Sequence, residues 1–155
     1  MRHRERAIEL VKIAFLQIEK GEEQVAEISR TIRFYFQPNS AALDKEAKEN
    51  LEYLDTIKRF LQVSPGSTVV LRGHVDNARM EEFRKSGGEE LVRNMALQAM
   101  ELSRQRAVAV KDALIARHKE LEKARVETVG RGWEEPTSPD SEQNRRVEVQ
   151  WFTLE

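Results

Sequence analysis

The stretch Thr68-Val69-Val70-Leu71-Arg72-Gly73-His74-Val75-Asp76-Asn77 decides how the chain is read. Its first four residues are rich in β-branched side chains with almost no polar alternation, so they predict a short central strand covered on both faces. The strand leads into a turn in which Gly73 and His74 are structural. Asp76 follows just past the carboxyl end of the strand, where loops of α/β folds expose side chains and backbone N–H groups.

Upstream, Pro65-Gly66 stops a helix expected from Asp44 to about Gln62, in which Ala47, Leu51, Leu54, Ile57 and Leu61 recur at spacings of four and three. Gln37-Pro38-Asn39-Ser40 reads as a turn. Before it, Thr31 to Phe36 alternates, with Ile32, Phe34 and Phe36 on one side and Arg33 and Tyr35 on the other, as in a strand with one buried face. Downstream, a polar segment containing Gly87-Gly88 precedes a helix expected from near Glu89 to about Lys119. Ser103, Ala107, Val110 and Leu114 form its inward stripe. Val126 and Val129 mark a third strand, and Val147, Val149 and Trp151 alternate along a fourth. The order strand, helix, strand, helix, strand, strand implies an α/β (α+β) two-layer sandwich, its helices covering one face of a mixed sheet.

A length of 155 residues suits one domain, expected over 30–155, with an N-terminal amphipathic helical appendage over 1–29. In that appendage Ala7, Ile8, Val11, Ala14, Phe15 and Ile18 share a stripe, while Leu10, Ile13 and Leu16 lie off it. The second set hints at a further contact, with a parent protein or in a homodimer. With 26 Lys plus Arg against 27 Asp plus Glu, the net charge of -1 argues against non-specific nucleic-acid binding. The absence of cysteine excludes disulfides, thiolate metal sites and cysteine nucleophiles. No apolar run approaches the roughly 20 residues that span a bilayer, so no membrane insertion by this chain is expected. Met1 to Arg6 is not followed by the apolar stretch of a signal peptide, so an exported parent is expected to carry its export signal or anchor elsewhere.

Four ordered signatures resemble the OmpA-like family, the C-terminal peptidoglycan-associating domain of OmpA, Pal and MotB proteins. They are Phe34-Tyr35-Phe36 with Leu43 and Ala47; Gly73-His74-Val75-Asp76-Asn77; Leu102-Ser103-Arg104-Gln105-Arg106-Ala107 with Val110 and Leu114; and Gly130-Arg131-Gly132-Trp133-Glu134-Glu135-Pro136 followed by Asn144-Arg145-Arg146-Val147-Glu148. The resemblance covers about residues 30 to 152. It implies the family's βαβαββ fold, a periplasmic or cell-envelope location in a Gram-negative-type bacterium, and a specific partner. That partner is the diaminopimelate of the peptidoglycan stem peptide, which presents an ammonium and a carboxylate on one carbon.

The family's clamp falls on Asp76 and Arg106, with Val75, Asn77, Leu102 and Arg145 in supporting positions. The chemistry is sensible, since a carboxylate matches an ammonium and a guanidinium fork can hold a carboxylate with two parallel bonds. Arg106, one residue before core Ala107, is expected at the border of the packed stripe. The plain alternative is that Asp76 and Arg106 merely pair with each other. On the fourth strand, Arg145 should share the inner side with Val147 while Arg146 and Glu148 point outward.

One departure stands out. Asp76 and Arg106 are 30 residues apart, which is longer than the family's usual spacing. The insertion, about 78–100, is expected to form a loop and an N-terminal extension of the second helix, either covering the site or projecting beyond it. Its Arg79, Arg84, Lys85 and Arg93 interleave with Glu81, Glu82, Glu89 and Glu90 as a solvated face does.

His3, His74 and His118 are too scattered for a metal site, and His74 is expected to brace its turn by hydrogen bonds. Ser103 has no evident catalytic partners, Gly130-Arg131-Gly132 lacks a dinucleotide fingerprint, and no carboxylate pair stands out. No catalytic residue, metal or cofactor is expected. The second function is an OmpA-like interaction or oligomerisation module that has lost wall binding.

Overall fold

A computed structural model describes residues 32–152, so the helix expected within 1–29 lies outside the described residues. The elements are β1 (Arg33–Tyr35), α1 (Lys48–Val63), β2 (Thr68–Gly73), α2 (Met80–Arg117), a 3-10 turn (Lys123–Arg125), β3 (Val126–Gly130), α3 (Ser141–Asn144) and β4 (Arg146–Phe152). The sheet order is β1-β4-β2-β3. β4 runs antiparallel to both β1 and β2, whereas β2 and β3 are parallel, which makes the sheet mixed as expected.

Alternation places Phe34, Val69, Leu71, Val126, Val147 and Val149 on one face, all buried. Against them pack Leu54, Ile57 and Leu61 of α1 and Ala107, Val110 and Leu114 of α2. Each fully buried Leu, Ile or Val contributes roughly 1.5–3 kcal/mol, so this two-layer contact carries most of the stability. β2 departs from its expectation. Thr68, Val70 and Arg72 are only half-buried, so the strand is central but covered on one face, and Val70 reflects strand propensity rather than two-sided burial.

α1 begins at Lys48 rather than Asp44. The Asp44 carboxylate accepts the N–H groups of Glu46 (3.0 Å) and Ala47 (3.2 Å), fixing a separate turn ahead of the helix. α2 begins at Met80, well before Glu89, and continues across a break at Gly88. Gly88 sits at φ +67°, ψ -163°, a conformation that glycine adopts at little cost, so the glycine pair joins two helical segments instead of marking a loop. Arg84 pairs with Glu81 on its own segment and with Glu89 across the break at 2.6 Å.

The later part of α2 lies unusually close to the sheet. A Cβ added at Gly73 would overlap the carbonyl oxygen of Ser103, and one at Gly130 would lie 2.7 Å from Arg104 N, Met100 O and Ser103 Oγ. Ser103 itself is fully buried, donates to Met100 O (2.8 Å) and accepts Gly132 N–H (2.9 Å). Two glycines and a serine thus form the seam along which helix backbone meets strand ends.

The opposite sheet face carries charge. Arg146 does not reach solvent as expected but is 2% exposed, donating to Glu148 (2.6 Å) and to Glu135 O (2.9 Å). Arg72 meets Glu135 through both carboxylate oxygens at 2.8 Å. Burial pushes the Glu148 carboxyl up, but the guanidiniums of Arg146, which donates to it, and Arg33 outweigh burial and hold it at about 2.

Two outcomes are expected. Gly73→Ala should lower the unfolding free energy by about 1–3 kcal/mol or more in urea titration, because backbone has to move to admit the methyl; an unchanged midpoint would contradict the seam. Because the folded pKa of Glu148 lies below its ordinary 4.5, its stabilisation is present above that value and is lost as pH falls through about 2. Glu148→Gln should therefore flatten the acid limb of a stability-versus-pH curve in that window.

Candidate functional site

The carboxyl end of β2, the loop after β1 and the middle of α2 converge on a cavity of about 280 Å³. Asp76 and Val75 reach it from the turn after β2, Pro38 and Asn39 from the loop after β1, and Leu102 and Arg106 from α2. Arg79, Phe83, Met95, Gln98 and Ala99 enter from the insertion, and Trp133 from the loop after β3. Asp76 and Arg106 therefore line one space. The inserted segment forms part of its wall.

Arg106 is not at the border of the packed stripe. It is 0% exposed, and its guanidinium donates from Nε to Ser40 O (2.8 Å), from Nη1 to His74 O (2.9 Å) and from Nη2 to Gln37 O (3.0 Å). A cation can be buried here because backbone carbonyls replace water and the Phe36 ring lies 5.4 Å from the guanidinium carbon. Burial lowers its pKa to about 10; Asp76 opposes that shift and Arg145 adds to it, so Arg106 stays charged at neutral pH. A guanidinium has five N–H donors, and the carbonyls engage three of them. The remaining two, one on each terminal nitrogen, are engaged by none of these carbonyls.

Asp76 is held differently. One carboxylate oxygen accepts Ala78 N–H at 3.1 Å, and the other lies 3.6 Å from Arg145 Nη1. Arg145 is anchored by its own Nε on Phe36 O (3.0 Å) and accepts Phe36 N–H through its carbonyl (3.0 Å). It thus braces the aspartate from behind and is not itself among the residues lining the cavity. Asn77 does not line it either; its carbonyl accepts Met80 N–H (3.1 Å) as α2 begins.

Gly73 and His74 shape the turn through their backbones. Gly73 O accepts Arg131 N–H (2.9 Å), and His74 N–H donates to Arg146 O (2.8 Å) while its carbonyl accepts Arg106. The expected side-chain brace is absent: neither ring nitrogen of His74 has a hydrogen-bond partner among the described residues, and Glu148 at 3.7 Å is too distant for one. Val75 N–H donates to Gly132 O (2.8 Å), tying the turn to the loop that carries Trp133.

Sequence reading missed the apolar side of the cavity. Val92, Ala99 and Trp133 are buried there, with Val75, Met80, Phe83, Met95 and Ala96 packed against them. The Phe83 and Trp133 rings stack at 6.3 Å between centroids and 28° between planes. Phe83 and Trp133 as large apolar residues inside polar segments were the available signal.

A larger cavity of about 360 Å³ lies on the other side of Arg145, lined among others by Tyr35, Gln37, Asp44 and Glu142. Its carboxylates are exposed and Asp44 is already occupied by backbone N–H groups, so it lacks the half-buried carboxylate that faces a buried guanidinium in the first. Among the described residues no cluster of His, Asp and Glu is arranged to hold a metal ion, and no helix is long and apolar enough to cross a membrane.

Three comparisons bear on this arrangement. The peptidoglycan-associated lipoprotein of Burkholderia pseudomallei is 21% identical, with a TM-score of 0.58 over 77% of this chain and 88% of that one. The OmpA-like domain of FopA1 from Francisella tularensis is 22% identical, with a TM-score of 0.58 over 79% and 72%. The periplasmic domain of Helicobacter pylori MotB is 21% identical, with a TM-score of 0.55 over 77% and 68%. These likenesses establish the shared fold. No curated protein matches the sequence. The model of the OmpA family matches residues 35–150, a span that takes in the last residue of β1, all of β2 and β3, β4 as far as Gln150, the glycine-serine seam and both opposed charges, and the chain belongs to the OmpA family.

Proposed function

We propose that this domain is a non-enzymatic binding module that holds peptidoglycan non-covalently through the diaminopimelate of the stem peptide and so anchors a cell-envelope protein to the wall in the periplasm. Membership of the OmpA family supports the reading, as does the likeness to a peptidoglycan-associated lipoprotein and to a periplasmic domain. The observation that carries it is that Asp76 and Arg106 line one cavity while Arg106 retains two N–H groups beyond its carbonyl contacts.

The roles divide by chemistry. The Asp76 carboxylate takes the ligand ammonium, and Arg106 takes the carboxylate on the same carbon through charge-assisted bonds. Arg145 keeps Asp76 in place, and the half-buried Val75 and Leu102 supply apolar flanks. Burial of the guanidinium on fixed carbonyls means that little side-chain order has to be gained on binding. The second reading, an interaction module without wall binding, draws on Leu97, 71% exposed, and Met100, 40% exposed, which put apolar surface on α2.

Titration with a diaminopimelate-containing stem peptide tests the proposal. Asp76→Ala should weaken binding by roughly 1.5–3 kcal/mol with the fold intact. Arg106→Ala should abolish binding and also lower the thermal midpoint, since it leaves three backbone carbonyls without their donor. Equal affinity of wild type and Asp76→Ala would rule out the clamp. A stable oligomer by light scattering, with no fragment binding, would favour the second reading.

A further inference from the structure

The inserted segment is more than a spacer. Five of the residues lining the cavity, Arg79, Phe83, Met95, Gln98 and Ala99, fall within it, and its apolar members lie beside the opposed charges. Buried Val92, Ala99 and Trp133 back this wall, while Val75, Phe83 and Met95 are only half-buried, so the wall has an apolar front as well as a packed rear. The front is rigid. Phe83 stacks on Trp133, and the Arg79 guanidinium lies 4.9 Å from the Phe83 centroid while pairing with Glu82. Arg84 bonded to Glu89 across the Gly88 break fixes the segment that carries Phe83 against the segment that carries Met95.

We propose that Phe83 and Met95 are specificity-determining residues that make the cavity bipolar, so that it selects α-amino-acid zwitterions bearing an extended aliphatic arm over those with a short side chain. The inference rests on the clamp reading of Asp76 and Arg106. Charge complementarity orients the ligand: with its ammonium on Asp76 and its carboxylate on Arg106, the remaining substituent of the α-carbon has the inserted wall as its apolar neighbour. Methylenes laid against Phe83 and Met95 leave water, and the affinity gained scales with their number. A polar or absent side chain gains nothing from that wall.

The test uses the 155-residue chain and a series of free amino acids with one zwitterion and a lengthening arm, D-alanine, D-2-aminobutyrate and D-norvaline, followed by NMR titration. Affinity should rise by roughly fourfold for each methylene buried. Phe83→Ala should flatten this series, while its circular dichroism spectrum and thermal unfolding report that the domain remains folded. Phe83→Leu should restore the slope, and Asp76→Asn should weaken all three ligands alike. If wild type binds the three equally while Asp76→Asn still weakens them, the bipolar cavity is overturned and the clamp stands. If wild type binds none, or Asp76→Asn changes nothing, the clamp and the inference fall together.

Discussion

The Arg106 guanidinium on the carbonyls of Gln37, Ser40 and His74 is the contact on which the rest of the site depends. Removing an arginine from water is costly unless its donors are met, and here they are met by backbone from two loops far apart in sequence. The same interaction therefore shapes the loop after β1, fixes the turn after β2 and presents a cation beside Asp76. The side chain proposed to hold the ligand carboxylate is equally a fastener of the fold. The two roles are compatible because a guanidinium has more donors than the carbonyls use.

Arg106 reaches those carbonyls because α2 lies so close to the sheet. Gly73, Gly130 and Ser103 remove the side-chain bulk that would hold the helix away, and Ser103 satisfies Gly132 N–H within the contact. The small residues of three sequence signatures thus meet along one line, which explains physically why they occur together: each is useless without the others. The turn, the helix and the closing loop are separate in sequence and continuous in space.

Much of this was legible beforehand. The alternation of Ile32, Phe34 and Phe36 and of Val147, Val149 and Trp151 identified strands, and the spacing of Leu54, Ile57 and Leu61 identified α1, because period and burial agree there. The early start of α2 was not legible, since Gly87-Gly88 reads as a loop unless tertiary packing holds helices on both sides of a left-handed glycine. Nor was the burial of Arg106 or Arg146, because each depends on carbonyls or carboxylates brought from elsewhere by the fold. Asp76 was placed by its turn. The apolar wall opposite it was hidden because Phe83 and Trp133, fifty residues apart, become neighbours only when the insertion folds back onto the closing loop.

That wall belongs to a cluster separate from the main core, with Val92, Ala99 and Trp133 as its only buried hydrophobic members among the described residues. Sub-global opening of a small satellite costs less free energy than cooperative unfolding of the two-layer core. Amides of the segment from Met80 to Gly87 consequently have an exchange route that does not require the sheet to come apart, and the rim of the cavity can breathe while its charged floor stays assembled.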